Sequence, residues 1–279
     1  MLLKSKRELR LLLDRFNRKI DYLRISVTDR CNYRCIYCVP DKPFVHKDPG
    51  DILSYEQIES LTEVAAGMGI RTVRLTGGEP LMRKDVEHLA AKLAAIQGIA
   101  QVCMTTNGSL LAAKAAQLRQ NGLARLNISV ASLDAERYRR ITGGGHLRQV
   151  LAGVDAAREV NFPAIKINMV VLDDTTEEDI EQMAAFCRRR GLQLQTIMRF
   201  SLYNRADLSR RLQTERPPEC SKCNRLRLTA DGFLKPCLFS DDEIRVDFGD
   251  IAGSILEAVA KKPVNGNSCR NRVMSQIGG

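Results

Sequence analysis

Cys31-Asn-Tyr-Arg-Cys35-Ile-Tyr-Cys38 sets three thiols 4 and 3 residues apart, and Thr76-Gly77-Gly78-Glu79-Pro80 follows. Three thiolates at this spacing can hold three irons of a [4Fe–4S] cube and leave the fourth without a protein ligand. Iron–sulfur clusters ordinarily take four. An open metal position marks a catalytic rather than a structural centre. We read the open iron as the docking point for the amino and carboxylate groups of S-adenosylmethionine (SAM). One electron from the cube would cleave the sulfonium to a 5′-deoxyadenosyl radical, with the protein binding, orienting and excluding water.

A zinc knuckle would need a fourth N or S donor. The nearest histidine, His46, lies 8 residues past Cys38 on a loop rich in Pro and Asp. A disulfide framework fits less well: the first residues are charged (Lys4, Lys6, Arg7, Glu8, Arg10) and show no signal-peptide pattern. The nine cysteines therefore read as metal ligands or free thiols of a cytoplasmic chain.

Cys220-Ser-Lys-Cys223 and Cys237, 14 residues on, form a second set. Completed by Cys269, it would be a closed structural centre, a zinc ribbon or a four-thiolate cluster. Without Cys269, a second cube keeps an open iron for a substrate. Arg225 and Arg227 beside Cys223 suit an anionic substrate, since guanidinium forks bind phosphate bidentately; a solvated basic strand is the plainer alternative. Cys103 and Cys187 stand alone and read as buried, inert thiols.

The chain is 279 residues long and 44% hydrophobic, enough for one large barrel or two unequal domains. No apolar run reaches the roughly 18 residues of a membrane span. Lys and Arg exceed Asp and Glu by 10, which favours anionic partners. Aromatics are only 5%, with no Trp, so a base-stacking nucleic-acid platform is poorly supported and a small polyanion fits better.

These residues need a scaffold, and its pattern is legible from Leu23 to Arg199. Strand-like runs at Leu23–Thr28, Thr72–Thr76, Gln101–Thr105, Ala124–Val130, Ala164–Val171 and Leu192–Arg199 alternate with helical runs. The helical runs are Tyr55–Met68, Asp85–Ala95, Ala112–Gln120, Leu147–Val160 and Glu177–Arg190, with Ser54 and Thr176 as N-caps. Six βα repeats imply an α/β fold with a parallel sheet, a partial (βα)6 barrel of the TIM type; a doubly wound open sheet is the alternative. The polar residues gather at strand C-termini, where α/β folds place ligands. Residues 1–13 read as an extension, 14–200 as the barrel and 201–279 as a small C-terminal iron–sulfur domain ending in a flexible Gly-Gly tail.

The stretches Ile20-Asp21-Tyr22-Leu23-Arg24-Ile25-Ser26-Val27-Thr28-Asp29-Arg30-Cys31 and Arg74 to Leu81 closely resemble the GTP 3′,8-cyclases of molybdenum-cofactor biosynthesis. So do Thr105-Thr106-Asn107-Gly108, Arg140-Ile141-Thr142-Gly143-Gly144, Cys223 to Gly232 and the terminal Gly278-Gly279. The resemblance implies a barrel of the radical SAM type and two [4Fe–4S] clusters, one on Cys31, Cys35 and Cys38, the other on Cys220, Cys223 and Cys237. It implies SAM contacts from Tyr37, Gly78 and Ser129. GTP would be held by Arg24, Arg74, Thr105, Lys166, Arg225, Leu226 and Arg227, with the guanine on the open iron of the second cluster. The family also implies an electron donor of flavodoxin or ferredoxin type, a downstream pterin synthase and an assembly compatible with a homodimer. Neither a nucleic acid nor a membrane is an implied partner.

Departures from the family pattern are specific. About 20 residues separate the sixth strand from Cys220, where the family carries a longer segment. The family's SAM-contacting methionine falls at Phe200, with Met198 nearby. Val130-Ala131 stand where the family has Leu-Asp. A peptide-modifying radical SAM enzyme with an auxiliary cluster, or a trimmed inactive homologue, are the alternative expectations.

Overall fold

The computed structural model describes residues 11–38, 45–203 and 219–278. Most of the expected N-terminal extension, the short segment at 204–218 ahead of Cys220, and Gly279 lie outside them.

The first six strands are β1 (Tyr22–Ser26), β2 (Thr72–Thr76), β3 (Gln101–Thr106), β4 (Leu123–Ser129), β5 (Ala164–Val171) and β6 (Gln193–Met198). Helices α1 (Tyr55–Met68), α2 (Val86–Ala95), α3 (Leu111–Gln120), α4 (Ala135–Thr142), α5 (Leu147–Glu159) and α6 (Glu177–Arg190) connect them. Their starts are chemically marked. Ser54 accepts from Gln57 N while the Gln57 side chain accepts from Ser54 N, and Thr176 and Asp179 repeat this reciprocal cap on α6. Helix α4 has no counterpart among the expected helices. Only Tyr138, Ile141 and Thr142 of its eight residues are buried, too few to show a 3.6 period. Its signals are Asp134, which caps Arg137 N, and Gly143 in the left-handed conformation at its end.

The strands run in the order β6-β5-β4-β3-β2-β1, all parallel, in one continuous sheet. A doubly wound sheet reverses its order at a switch point; this one never does. Right-handed crossovers taken always in one direction put the connecting helices on one face and leave the other concave. The partial barrel is the observed architecture.

Three further strands extend the same sheet: β7 (Arg225–Leu228), β8 (Phe233–Lys235) and β9 (Ile244–Arg245), followed by α7 (Ile251–Ala260) and α8 (Met274–Ile277). β7 pairs in parallel with β1, and β8 and β9 then turn antiparallel. The sheet is thus shared across the boundary expected at residue 200. Nearly all the buried apolar side chains form one core around it. A second small cluster of Leu202, Phe239, Cys269 and Ile277 joins the end of β6 to the C-terminal residues.

Candidate active site

Three loops at the C-terminal ends of β1, β2 and β3 are locked together. Hydrogen bonds continue past the strand ends: Gly78 N donates to Thr28 O at 2.7 Å and Glu79 N to Arg30 O at 2.8 Å. The approach is so close that a Cβ on Gly77 would lie 2.3 Å from Thr28 O, and one on Gly78 2.1 Å from Arg30 O. No other residue fits there. Glu79 then binds the third loop, accepting from Thr106 Oγ1 at 2.7 Å and Asn107 N at 2.6 Å. Burial pushes its carboxyl up to about 7, against those hydrogen bonds. Asn107 Nδ2 donates to Asn32 Oδ1 at 2.8 Å and so pins the cysteine loop.

Cys31, Cys35, Cys38, Tyr37, Gly78, Thr105 and Ser129 all line one cleft above these loops, together with both Met198 and Phe200. Its empty space is about 1160 Å³, open to solvent and roomy for small ligands. The donor set suits a four-iron cluster: three thiols face one space with no histidine among the lining residues. Burial pushes all three thiols up, Cys35 to about 11, and a bound metal cation would act against that shift. A cube spreads its thiolates over three irons, whereas zinc ligands must meet at one. Val130 and Ala131 are both buried behind Ser129.

The cations lie deeper. Arg24 of β1 is in register with Arg74 of β2 and with Arg227 of β7, so three guanidinium groups share one face on three adjacent strands. Thr105, Asn127 and Lys166 form a neighbouring row on β3, β4 and β5. Arg74 donates from Nη1 to Met104 O at 3.1 Å, Thr105 Oγ1 at 3.3 Å and Asn127 Oδ1 at 2.9 Å, and from Nε to the Tyr22 hydroxyl. These acceptors are neutral, and among the described residues no carboxylate pairs with Arg74 or Arg227. Burial and then the Arg227, Arg74 and Arg225 charges pull Arg24 well below its ordinary value. Arg227 is pushed down to about 10 by burial and Arg225. Crowded like charges of this kind are relieved by a polyanion. Arg225 stacks near the Tyr22 ring, and its Nε is buried without a partner. Leu226 is buried in the core and offers the cation face only its backbone.

The second cysteine set lies at the opposite end of the sheet. Cys223 precedes β7, and Cys237 follows β8, which runs back antiparallel, so both sit at the N-terminal end of β7 while Cys31 follows the C-terminal end of β1. The arginine row runs between them; a five-residue strand spans about 16 Å. Expected site residues therefore occupy both strand ends and the barrel interior rather than the C-terminal rim alone. Two residues not anticipated from sequence secure this end. Lys262, almost fully buried, donates to Arg225 O and Pro236 O at 2.8 Å each and approaches Cys223 Sγ at 3.5 Å. Arg18 donates to Cys220 O at 2.9 Å, Pro263 O at 2.6 Å and Val264 O at 3.1 Å. Burial raises the Cys223 thiol, but the Lys262 ammonium and Arg225 outweigh it and hold it below the ordinary value. Nothing in local sequence marks Lys262, whose partners are 26 to 39 residues distant. Cys269 is fully buried beside Leu202, Phe239 and Ile277, its Sγ 3.3 Å from Asn271 Oδ1.

The C-terminal residues wall part of the cavity. Met274 and Ser275 of α8 line the cleft, and Gly278 accepts from Arg24 Nε at 3.2 Å and Arg227 Nη1 at 2.7 Å. Just upstream, Arg272 binds Glu243 through Nε and Nη2 at 2.7 and 2.8 Å and Asp231 through Nη1 at 2.7 Å.

Residues 25–187 match the family model of the radical SAM superfamily. The GTP 3′,8-cyclase of Thermodesulfovibrio yellowstonii is 35% identical over 320 residues, covering 95% of this chain and 99% of that protein. That of Moorella thermoacetica is 37% identical over 321 residues, with 95% and 99% covered. The 320 aligned positions exceed the 279 residues of this chain, so the relatives carry residues that it lacks. Among solved structures, Streptococcus suis SuiB bound to S-adenosylmethionine superposes with a TM-score of 0.66 at 16% identity, covering 89% of this chain and 66% of that one, a likeness of fold. The cysteine loop, the glycine turn that receives it and the near full-length identity agree: this chain belongs to the radical SAM superfamily and, within it, to the GTP 3′,8-cyclase family.

Proposed function

We propose that this chain converts GTP to (8S)-3′,8-cyclo-7,8-dihydroguanosine 5′-triphosphate, the first step of molybdenum-cofactor biosynthesis. The observation that carries the reading is the register of Arg24, Arg74 and Arg227, three cations on one concave face between two cysteine trios. A peptide-modifying enzyme has no use for such a row, and an inactive scaffold has no reason to hold buried like charges together.

Cys31, Cys35 and Cys38 would hold the first cluster, which with SAM would supply the radical chemistry needed at C3′ of the ribose. The chain's residues do the rest by placement. Gly78 lets the turn close onto the cysteine loop and lines the cleft, with Tyr37 and Ser129 on its walls. Arg24, Arg74, Arg225 and Arg227 hold the triphosphate, with Thr105 and Lys166 in the adjacent row. Cys220, Cys223 and Cys237 hold the second cluster at the far end, where the guanine binds. Met274 and Ser275 exclude water from the cleft side.

The reading places the enzyme in the cytoplasm, drawing electrons from a flavodoxin- or ferredoxin-type donor and passing its product to a pterin synthase; no helix of the described residues is long and apolar enough to cross a membrane. An anaerobic assay with GTP, SAM and a strong reductant tests it. Deoxyadenosine formed only with GTP present is the expected result. Cleavage of SAM regardless of GTP points to a peptide substrate, and no cleavage at all to a scaffold.

A further inference from the structure

We propose that the outer face of the cysteine loop, with the last turn of α4, is the docking surface for a small acidic protein that delivers single electrons. The proposal rests on the reading of Cys31, Cys35 and Cys38 as holders of a redox centre.

Along the loop the side chains alternate. Tyr33 and Cys35 are buried, while Asn32, Arg34 and Ile36 are exposed. Ile36 stands 51% exposed, an apolar side chain on the outer surface directly beside Cys35. From solvent to the thiols is thus the thickness of one chain. The loop is not free to move away. Arg34 N donates to Thr142 O and Ile36 N to Ile141 O, each at 3.0 Å, which fastens it to the end of α4. A Cβ on Gly143 would lie 2.8 Å from Arg34 Cβ, so the helix end is seated on that residue.

This seat brings Arg139 and Arg140, both exposed in the last turn of α4, beside Arg34 and Ile36. Among the described residues no carboxylate pairs with Arg34, Arg139 or Arg140. Arg137 of the same helix is different: it is half-buried and paired with Asp174 at 3.0 Å and Asp179 at 3.5 Å. The single acid of α4, Glu136, lies at its other end. An exposed isoleucine on a loop fastened to a helix end that carries exposed, uncompensated arginines offers a small apolar contact with cations close by in the chain. Such a surface suits a transient encounter steered by charge, and its complement is an acidic patch around an electron-transfer group. Arg34 also lines the cleft, whereas Arg139 and Arg140 are exposed on α4, outside the cleft lining and apart from the nucleotide cations of the barrel interior, so this outer pair is surplus to the site. The transfer itself is one electron: the donor's flavin or iron–sulfur group is oxidised by one, the acceptor centre is reduced by one, and no bond or proton changes at the surface.

The test follows bleaching of the iron–sulfur absorbance of the reconstituted chain after anaerobic mixing with reduced flavodoxin, at low and high salt. Reduced methyl viologen, a small cation, serves as the second reductant. The double variant Arg139→Glu/Arg140→Glu changes only exposed residues. With flavodoxin we expect bleaching of the variant to slow about tenfold at low salt and its salt dependence to flatten. With methyl viologen the variant should bleach no more slowly than the parent. Equal flavodoxin rates in parent and variant would overturn the docking surface, including the case in which the variant instead loses affinity for an oligonucleotide. Failure of methyl viologen to bleach either chain would overturn the redox-centre reading, and the docking surface with it.

Discussion

Arg227 donates from Nη1 to the carbonyl oxygen of Gly278 at 2.7 Å, so the end of the described chain rests on the cations of the barrel interior. A phosphate approaching Arg227 meets a side chain already extended and oriented. Replacing it removes a buried charged donor without touching either cysteine trio. Arg227→Ala should weaken GTP binding by about 1.5–3 kcal/mol, roughly tenfold to a hundredfold, and leave the iron content unchanged. Isothermal titration with GTP checks the first and iron counting the second.

Arg272 is the anchor that sets where those last residues lie. Its guanidinium bridges Glu243 and Asp231 while the following residues, Met274 and Ser275, wall the cleft. Arg272→Ala leaves buried Asp231 and half-buried Glu243 with Lys47 and Lys235 as their remaining cationic partners among the described residues. The expected cost is about 3 kcal/mol in urea denaturation. Amide exchange over residues 273–278 should rise more than elsewhere, and uniform exchange would remove the anchoring role.

Glu79 has a pH signature. Its folded value of about 7 lies above the ordinary 4.5, so the folded chain holds this proton more tightly than the unfolded one. Its contribution is therefore intact below about pH 4.5, and stability of the ligand-free chain declines as pH rises to about 7, by roughly 3 kcal/mol. Glu79→Gln should remove that part of the slope. Denaturation curves of the metal-free parent and variant at pH 5 and pH 8 make the comparison; parallel slopes would contradict it.

Cys269 donates to Asn271 and is packed among apolar side chains, which makes it a poor candidate for a cluster ligand. Cys269→Ser should retain about eight irons per chain after anaerobic reconstitution, whereas Cys223→Ser should fall towards four. Loss of iron in Cys269→Ser would close the second centre and deny the guanine its place.

The chemistry of this protein was written locally. Spacing of three cysteines, the glycine pair and the CxxC pair are properties of a few consecutive residues, and the alternation of strand and helix needs only short-range periodicity. For that reason six strands, five helices and the first cysteine motif could be read directly, while spacing left open whether Cys269 joins the second set and α4 was hidden by having only three buried residues. What tertiary structure alone decided is relative placement. The pairing of β7 with β1 joins residues some 200 positions apart, and it alone aligns Arg227 with Arg24 and Arg74 and sends the second trio to the far end of the barrel. Lys262 reaching Cys223 and Arg18 reaching Cys220 are likewise contacts between distant segments. Such contacts form because burying the shared sheet outweighs the loop-closure entropy between them, a balance struck by the whole chain and by no single stretch of it.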